Sequence, residues 1–426
     1  MIEESVRGED RMKKYGCIGK KLRHSFSKEI HARLADYNYE LIELSEEEIA
    51  PFFEKKDFEA INVTIPYKET VIPYLDHVSE VARNIGAVNT IVRRDGKLYG
   101  YNTDYYGMKA LIEKIGISVA GKKVLILGTG GTSKTAQVLT RDLNAKSVHV
   151  VSRSRKDGCI TYEEASEEHS DAEVIINTTP SGMYPDCESS PIDISAFPSL
   201  CGVVDAVYNP LTTNLVADAK EREIKSGCGL YMLVMQAVVA VEKFLDKEIP
   251  KKVADEVFCD ILASKENIVL TGMPGSGKST IGKCLEIEGF EFIDTDEEIE
   301  KRCGCRIREL IESRGEKYFR DLEAEVIREV SSESSRIIST GGGAVLREEN
   351  IRRLKRNGKI FFINADIERL RATEDRPLSD TYEKLRRLYS ERIGIYNSSA
   401  DVVVPDMETT EAEAEYILAK RMEQML

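Results

Sequence analysis

An α/β protein of three successive units is predicted by three observations. Residues 12–110 alternate short apolar runs, at 60–65 and 87–92, with helix-period patterns such as 28–37; strands and helices therefore interleave. An apolar strand at 124–127 runs into the turn Gly128-Thr-Gly-Gly-Thr-Ser133 and then a helical pattern over 135–143. A second such strand, 267–270, runs into Gly272-Met-Pro-Gly-Ser-Gly-Lys-Ser279. Both are the strand–turn–helix of a parallel sheet with helices on its faces.

The remaining elements follow the same rhythm. After the first turn come strand candidates at 147–151, 173–177 and 203–207, the βαβ pattern of a Rossmann-type domain. Residues 230–246 form a long apolar helix, followed by a short helix and a unit boundary near 263–266. No Pro- or Gly-rich linker marks that boundary.

Composition narrows the function classes. The 426 residues carry 74 acidic and 60 basic side chains, net charge -14, which disfavours a nucleic-acid-binding face. Nine cysteines with no C-x-x-C pair read as reduced thiols, so a cytoplasmic location is expected. The longest apolar stretch, 230–241, is interrupted by Gln236 and falls short of the ~18 residues that span a membrane. No membrane or nucleic-acid partner is expected.

The glycines of the first turn (Gly128, Gly130, Gly131), with Thr132 and Ser133, let backbone amides at a helix start approach a pyrophosphate. Ser133 stands where the usual fingerprint has a third glycine. The second strand ends in Ser152-Arg153-Ser154-Arg155 rather than in a carboxylate. Guanidiniums and hydroxyls suit a ribose 2′-phosphate, whereas Asp or Glu would suit a free 2′-hydroxyl. NADPH/NADP is therefore expected over NAD.

Asn62-Val-Thr-Ile-Pro-Tyr-Lys68 ends another strand, and Gly86-Ala-Val-Asn-Thr90 and Asn102-Thr-Asp104 begin loops. A Lys and an Asp converging on one substrate can move a proton. These segments join His24-Ser-Phe-Ser27, the glycine turn, Asn177-Thr-Thr-Pro-Ser-Gly-Met183, Tyr208-Asn-Pro210 and Gly229–Gln236. In that order they resemble the shikimate dehydrogenase family over about residues 14–260. The resemblance implies that Lys68 and Asp104 act at the C3 oxygen. It implies that Ser25, Ser27, Asn62, Thr64, Asn89, Tyr208 and Gln236 bind substrate and that Gly229 borders the cofactor. Lys21 and Lys28 replace common prolines, which bears on substrate preference. Gln236 also needs a partner on physical grounds, being a polar amide in an apolar helix.

The second turn matches G-x-x-x-x-G-K-[ST]. The amides of Gly272, Gly275-Ser-Gly277 and Lys278-Ser-Thr280, in a loop shaped by Pro274, form a phosphate nest, Lys278 reaches the β/γ-phosphates, and Ser279 helps hold Mg2+. ATP and Mg2+ are expected. Asp294-Thr-Asp296, Phe319-Arg-Asp-Leu-Glu323, Gly341-Gly-Gly343, Asp375-Arg-Pro-Leu378 and Arg392-Ile-Gly-Ile-Tyr396 follow. With the P-loop they resemble shikimate kinase over about residues 266–426. By that resemblance Asp296 serves the acceptor hydroxyl and Asp294 assists magnesium. Arg320, held by Glu323, and Arg392 bind the substrate carboxylate beside Gly341, Gly342 and Gly343. Arg376, in a lid over 366–382, stabilises the transferring phosphate, and Gly394 loosens a helix start. All five histidines precede residue 170, which leaves a carboxylate as the base in this half.

The expected architecture is thus a substrate domain at 12–110, completed by helices of 230–263, then a Rossmann-type NADP domain at 111–229 and a P-loop kinase domain at 266–426. The expected function is reduction of 3-dehydroshikimate to shikimate followed by its phosphorylation, in a monomer or homodimer. Two rivals stay open at this level: a quinate- or NAD-preferring first half, and a second half that binds ATP without transferring phosphate.

Overall fold

The computed structural model describes residues 14–22, 26–285, 287–370 and 381–423. Three sheets organise it. The first has strands β1 (Tyr15–Gly19), β2 (Tyr39–Glu43), β3 (Ala60–Val63), β4 (His77–Val78), β5 (Thr90–Arg94) and β6 (Lys97–Tyr101), in the order β2-β1-β3-β5-β6-β4. β1 runs parallel to β2 and β3, but β5 is antiparallel to both β3 and β6. The turn Asp95-Gly96, with φ of 51° and 74°, makes that hairpin, because both turn residues must take left-handed conformations.

The second sheet is parallel: β7 (Lys123–Leu127), β8 (Ser147–Val151), β9 (Cys159–Ile160), β10 (Val174–Asn177), β11 (Gly202–Asp205) and β12 (Lys225–Gly227). Its order β12-β11-β10-β7-β8-β9 reverses direction beside β7, the place where open α/β sheets leave a crevice for ligands. The third sheet, β13 (Asn267–Gly272), β14 (Glu291–Asp294), β15 (Arg336–Ser339), β16 (Gly358–Asn364) and β17 (Val402–Pro405), is parallel throughout in the order β14-β15-β13-β16-β17. The near-continuous apolar character of β7, β10, β13 and β16 follows from burial on both faces.

The chain forms two compact units. The first comprises the chain through Thr179, Ile192–Ala206 and Ala219–Phe258; the second comprises Pro180–Pro191, Val207–Asp218 and everything from Cys259. In the first unit the apolar helix Leu230–Leu245 lies against the helix Asp104–Ile115. Gly107 permits this approach, since a Cβ there would stand 2.4 Å from the Met232 carbonyl oxygen. Within the second unit, Glu188 accepts hydrogen bonds from Arg353 at 3.2 Å and from Arg356 at 3.0 Å. The helix expected to be short after residue 250 is 15 residues long, Lys251–Lys265, and leads directly into β13 at Asn267. All nine cysteines are free thiols. Among the described residues, no helix is long and apolar enough to cross a membrane.

Candidate active sites

Lys68 and Asp104 come from different elements. Lys68 follows β3 in a turn closed by the bond from the Tyr67 N–H to the Thr64 carbonyl, and Asp104 opens the helix Asp104–Ile115. The Lys68 ammonium donates to Asp104 Oδ2 at 2.6 Å, with side chains only 15% and 11% exposed. A buried amide network sits behind this pair. Asn89 donates from Nδ2 to Asp104 Oδ1 at 2.9 Å and accepts the Thr103 N–H at 2.7 Å. Asn62 Nδ2 donates to Thr90 Oγ1 at 3.1 Å and to the Asn89 carbonyl at 3.3 Å. Thr103 Oγ1 donates to Gln236 Oε1 at 3.4 Å, and Gln236 Nε2 donates to the Leu233 carbonyl. Gln236 thus has its partners, as its place in an apolar helix requires. Ser27 begins the helix Ser27–Leu34, and the Thr64 methyl lies where a Cβ on Gly19 would come within 2.6 Å. Tyr208 belongs to a segment of the second unit. Ser25 lies outside the described residues.

The first glycine turn links β7 to the helix Gly131–Asp142. Gly128 has φ of +104°, and a Cβ there would meet Thr178 Oγ1 at 2.9 Å, so only glycine fits. A Cβ on Gly130 would meet nothing within 4 Å, whereas one on Gly131 would face the Lys68 stem at 3.8 Å. Thr132 is half-buried in the first helical turn and Ser133 is fully buried beneath it. The open face above Gly130 beside a helix N-terminus is a cradle that fits a pyrophosphate. Gly229 precedes the helix Leu230–Leu245, and a Cβ on it would stand 2.3 Å from the Ala206 carbonyl oxygen. Ser152 is buried at the end of β8, with Arg153 and Ser154 exposed beyond it. Arg155 is paired with Glu164 at 2.7 Å. Two groups escaped the sequence reading: Lys156 Nζ reaches Thr129 Oγ1 at 3.4 Å, and Thr178 Oγ1 donates to the Leu127 carbonyl. The basic run after β8 was the available signal for Lys156. Thr178 was marked only as part of the 177–183 motif, because its proximity to β7 comes from sheet order.

In the third sheet, parallel strands bring the ends of β13, β14 and β15 to one edge. Gly272, Gly275 and Gly277 all have positive φ, and the Ser276 hydroxyl is buried with no hydrogen-bond partner. An orphaned hydroxyl inside a ring of loop amides fits a phosphate. Pro274 packs within the loop where a Cβ on Gly342 would touch it at 2.8 Å. Lys278 curls back to the Gly272 and Met273 carbonyls at 3.0 and 2.9 Å. Ser279 donates to Asp294 Oδ2 at 2.6 Å, a two-oxygen set of the kind that holds Mg2+ together with phosphate and water. Thr280 is exposed on the following helix.

Asp294 also caps the helix Thr295–Cys303 by accepting the Asp296 and Glu297 N–H groups. Opposite stands Gly341-Gly-Gly343. A Cβ on Gly341 would lie 2.5 Å from Asp296 Oδ1, and one on Gly343 would overlap the Arg320 guanidinium. Glu323, fully buried, holds Arg320 at 2.8 Å. Burial pushes the Glu323 carboxyl up, and the Arg320 charge opposes that rise. Arg392 and Tyr396 both donate to the Gly342 carbonyl. Arg392 and Gly394 lie well inside the helix Tyr382–Ser399, so the expected loosened helix start at Gly394 is corrected: flanking turns already satisfy the backbone there. Arg376 lies outside the described residues, as does 371–380 of the expected lid. Among the described residues no three His, Cys, Asp or Glu side chains form a metal cluster.

Comparison with known proteins decides the family. Residues 17–91 match the model of the shikimate dehydrogenase substrate binding domain, and residues 274–422 match that of shikimate kinase. An NADP(+) shikimate dehydrogenase of Clostridium perfringens is 37% identical over 271 residues, spanning 58% of this chain and 97% of the relative. The chain belongs to the shikimate dehydrogenase family. It carries a shikimate kinase domain behind the dehydrogenase. The solved shikimate dehydrogenase 1 of Peptoclostridium difficile is 36% identical, with a TM-score of 0.55 over 59% of this chain and 98% of that one. A chorismate mutase/shikimate 5-dehydrogenase fusion from Clostridium acetobutylicum is 35% identical, with a TM-score of 0.55 over 59% and 97%. Lys68 lies within the stretch matched by the dehydrogenase model, and Gly275–Ser279 within the stretch matched by the kinase model.

Proposed function

We infer that the chain reduces 3-dehydroshikimate with NADPH and then phosphorylates the new hydroxyl of shikimate with MgATP. NADPH supplies the hydride, and MgATP supplies the phosphoryl group. In the dehydrogenase, Lys68 gives a proton to the C3 oxygen as that oxygen gains charge, and Asp104 orients the ammonium; the 2.6 Å contact between the two supports this reading. Asn62, Thr64, Asn89, Ser25, Ser27 and Gln236 hold the remaining substrate groups. Gly128, Gly130, Gly131, Thr132 and Ser133 form the pyrophosphate turn, Gly229 lines the cofactor side, and Ser152, Arg153 and Ser154 take the 2′-phosphate.

In the kinase, Asp296 positions the acceptor hydroxyl and takes its proton, while Lys278 and Arg376 offset charge on the transferring group. Pro274 through Thr280 wrap the nucleotide phosphates. Ser279 and Asp294 would hold magnesium, which would offset phosphate charge there. Arg320, Arg392 and the backbone of Gly341, Gly342 and Gly343 form the shikimate pocket.

The observation that carries this reading is the Lys68–Asp104 pair in the same chain as a Ser279–Asp294 pair beneath a P-loop, since consecutive reactions at one oxygen need both. Mass spectrometry of one reaction containing the protein, 3-dehydroshikimate, NADPH and MgATP tests it. Shikimate 3-phosphate is expected. Shikimate that accumulates unphosphorylated would leave the second half as an ATP-binding module.

A further inference from the structure

The dehydrogenase amide network does not end at Asn62. Tyr39 on β2 is 2% exposed and donates its hydroxyl to Asn62 Oδ1 at 2.7 Å. The register explains the reach. β2 and β3 flank β1, with Tyr39 opposite Tyr15 and Asn62 opposite Cys17. The phenol therefore crosses β1 diagonally, past the Cys17 thiol, to reach a side chain two strands away. The orientation of the Asn62 amide is determined by its other end. Its Nδ2 faces the Asn89 carbonyl, a group that can only accept. Oδ1 must then face Tyr39, and the phenol must donate.

We propose that Tyr39 is a positioning residue for the reduction, acting through Asn62 on the Asn89–Asp104–Lys68 array. The path has short steps. Asn62 Nδ2 donates to Thr90 Oγ1, Thr90 Oγ1 donates to Asn89 Oδ1 at 3.1 Å, and Asn89 Nδ2 donates to Asp104 Oδ1 at 2.9 Å. Tyr39, Asn62, Thr90 and Asn89 are each at least nine-tenths buried, so water does not replace a lost partner at low cost. His31 stacks on the Tyr39 ring at 3.9 Å and 14°, which holds the ring plane. The burial that pushes the Tyr39 phenol well above its ordinary value keeps it a donor at every working pH. Without that donor, Asn62 Oδ1 would be left unpaired, and turning the amide would break its bonds to Asn89 and Thr90.

This inference rests on the dehydrogenase reading of the site. The test compares the full chain with Tyr39→Phe, Asn62→Ala and the double variant, in reduction of 3-dehydroshikimate by NADPH and by 4-deuterated NADPH. Turnover is referred to titrated NADPH-binding sites. Tyr39→Phe should lower kcat about tenfold, the scale of a misplaced catalytic group, with the NADPH KM within about twofold. The deuterium effect should rise as hydride transfer becomes limiting, which a merely less stable protein would not show. In the Asn62→Ala background, adding Tyr39→Phe should cost nothing further. Turnover and isotope effect unchanged in Tyr39→Phe, or effects that multiply in the double variant, overturn the proposal. If Asn62→Ala does not fold, the isotope effect of Tyr39→Phe alone decides. A wild-type chain that does not reduce 3-dehydroshikimate defeats the functional reading itself, a separate result.

Discussion

Arg153 and Arg155 look equivalent in the sequence, but their surroundings separate them. Arg155 is engaged by Glu164 at 2.7 Å, whereas Arg153 extends past Ser152 at the end of β8 with no carboxylate on it in the described contacts. A guanidinium already satisfied by a carboxylate gains less from a phosphate. Arg153→Ala is therefore expected to raise the NADPH KM tenfold or more, given about 1.5–3 kcal/mol for a charge-assisted hydrogen bond. The NADH KM should scarcely move. Steady-state kinetics with both cofactors checks this, and equal effects on the two would remove Arg153 from the 2′-phosphate site. Lys156, which reaches Thr129, sets a limit on the loss because it adds a second cation near the same turn.

At the scale of elements, the helix Ser27–Leu34 buries His31 completely against the first sheet. Its ring is stacked on Tyr39 and its Nδ1 lies 2.7 Å from the Tyr37 hydroxyl. Burial lowers its pKa to about 3. An unfolded histidine titrates near 6.5, so between those values the unfolded chain binds a proton that the folded chain refuses. Stability is full above pH ~6.5 and falls as pH drops toward about 3. At pH 5 the cost is about 2 kcal/mol, from 1.36 kcal/mol per unit. Thermal unfolding at pH ~7.5 and ~5 should show a larger acid loss in the wild type than in His31→Phe. Equal slopes would exclude His31 as the cause. The sequence showed only a histidine within a helical pattern; its burial depends on Tyr37, on Tyr39 of β2 and on Phe244, whose ring comes from a distant position.

For the whole molecule, the proposed function assigns the two reactions to separate groups on one chain. Lys68→Ala should reduce 3-dehydroshikimate turnover by about 10²–10⁴-fold, the usual contribution of a positioned proton donor. Shikimate phosphorylation by the same preparation should be unchanged, since the P-loop follows β13, Asp294 ends β14 and Asp296 lies in the helix after it, all in the second unit, whereas Lys68 belongs to the first. Parallel assays of NADPH oxidation and shikimate-dependent ADP release check this. A kinase rate that fell equally would contradict the division of labour. Linking the two enzymes ensures equal amounts of each, and tethering speeds transfer only where geometry allows the product to reach the second site.

The chemistry of both domains was determined by local sequence. A strand entering Gly-x-Gly or Gly-x-x-x-x-Gly-Lys-Ser makes a phosphate-binding turn wherever it folds, because the requirement is a backbone conformation that neighbouring residues set. The strands at 147–151 and 267–270 were legible for the same reason, as apolar runs bounded by turns. What needed tertiary structure was every relation set by pairing order. The antiparallel β3–β5 contact brings Asn62 to Asn89 and Thr90, and the placement of β1 between β2 and β3 aims Tyr39 at Asn62. The joining of Pro180–Pro191 and Val207–Asp218 to the second unit likewise had no local signal. Side-chain periodicity tells which face of a strand is buried, but which strand lies beside it follows from competing long-range packing, and that is where the positioning groups of this enzyme were found.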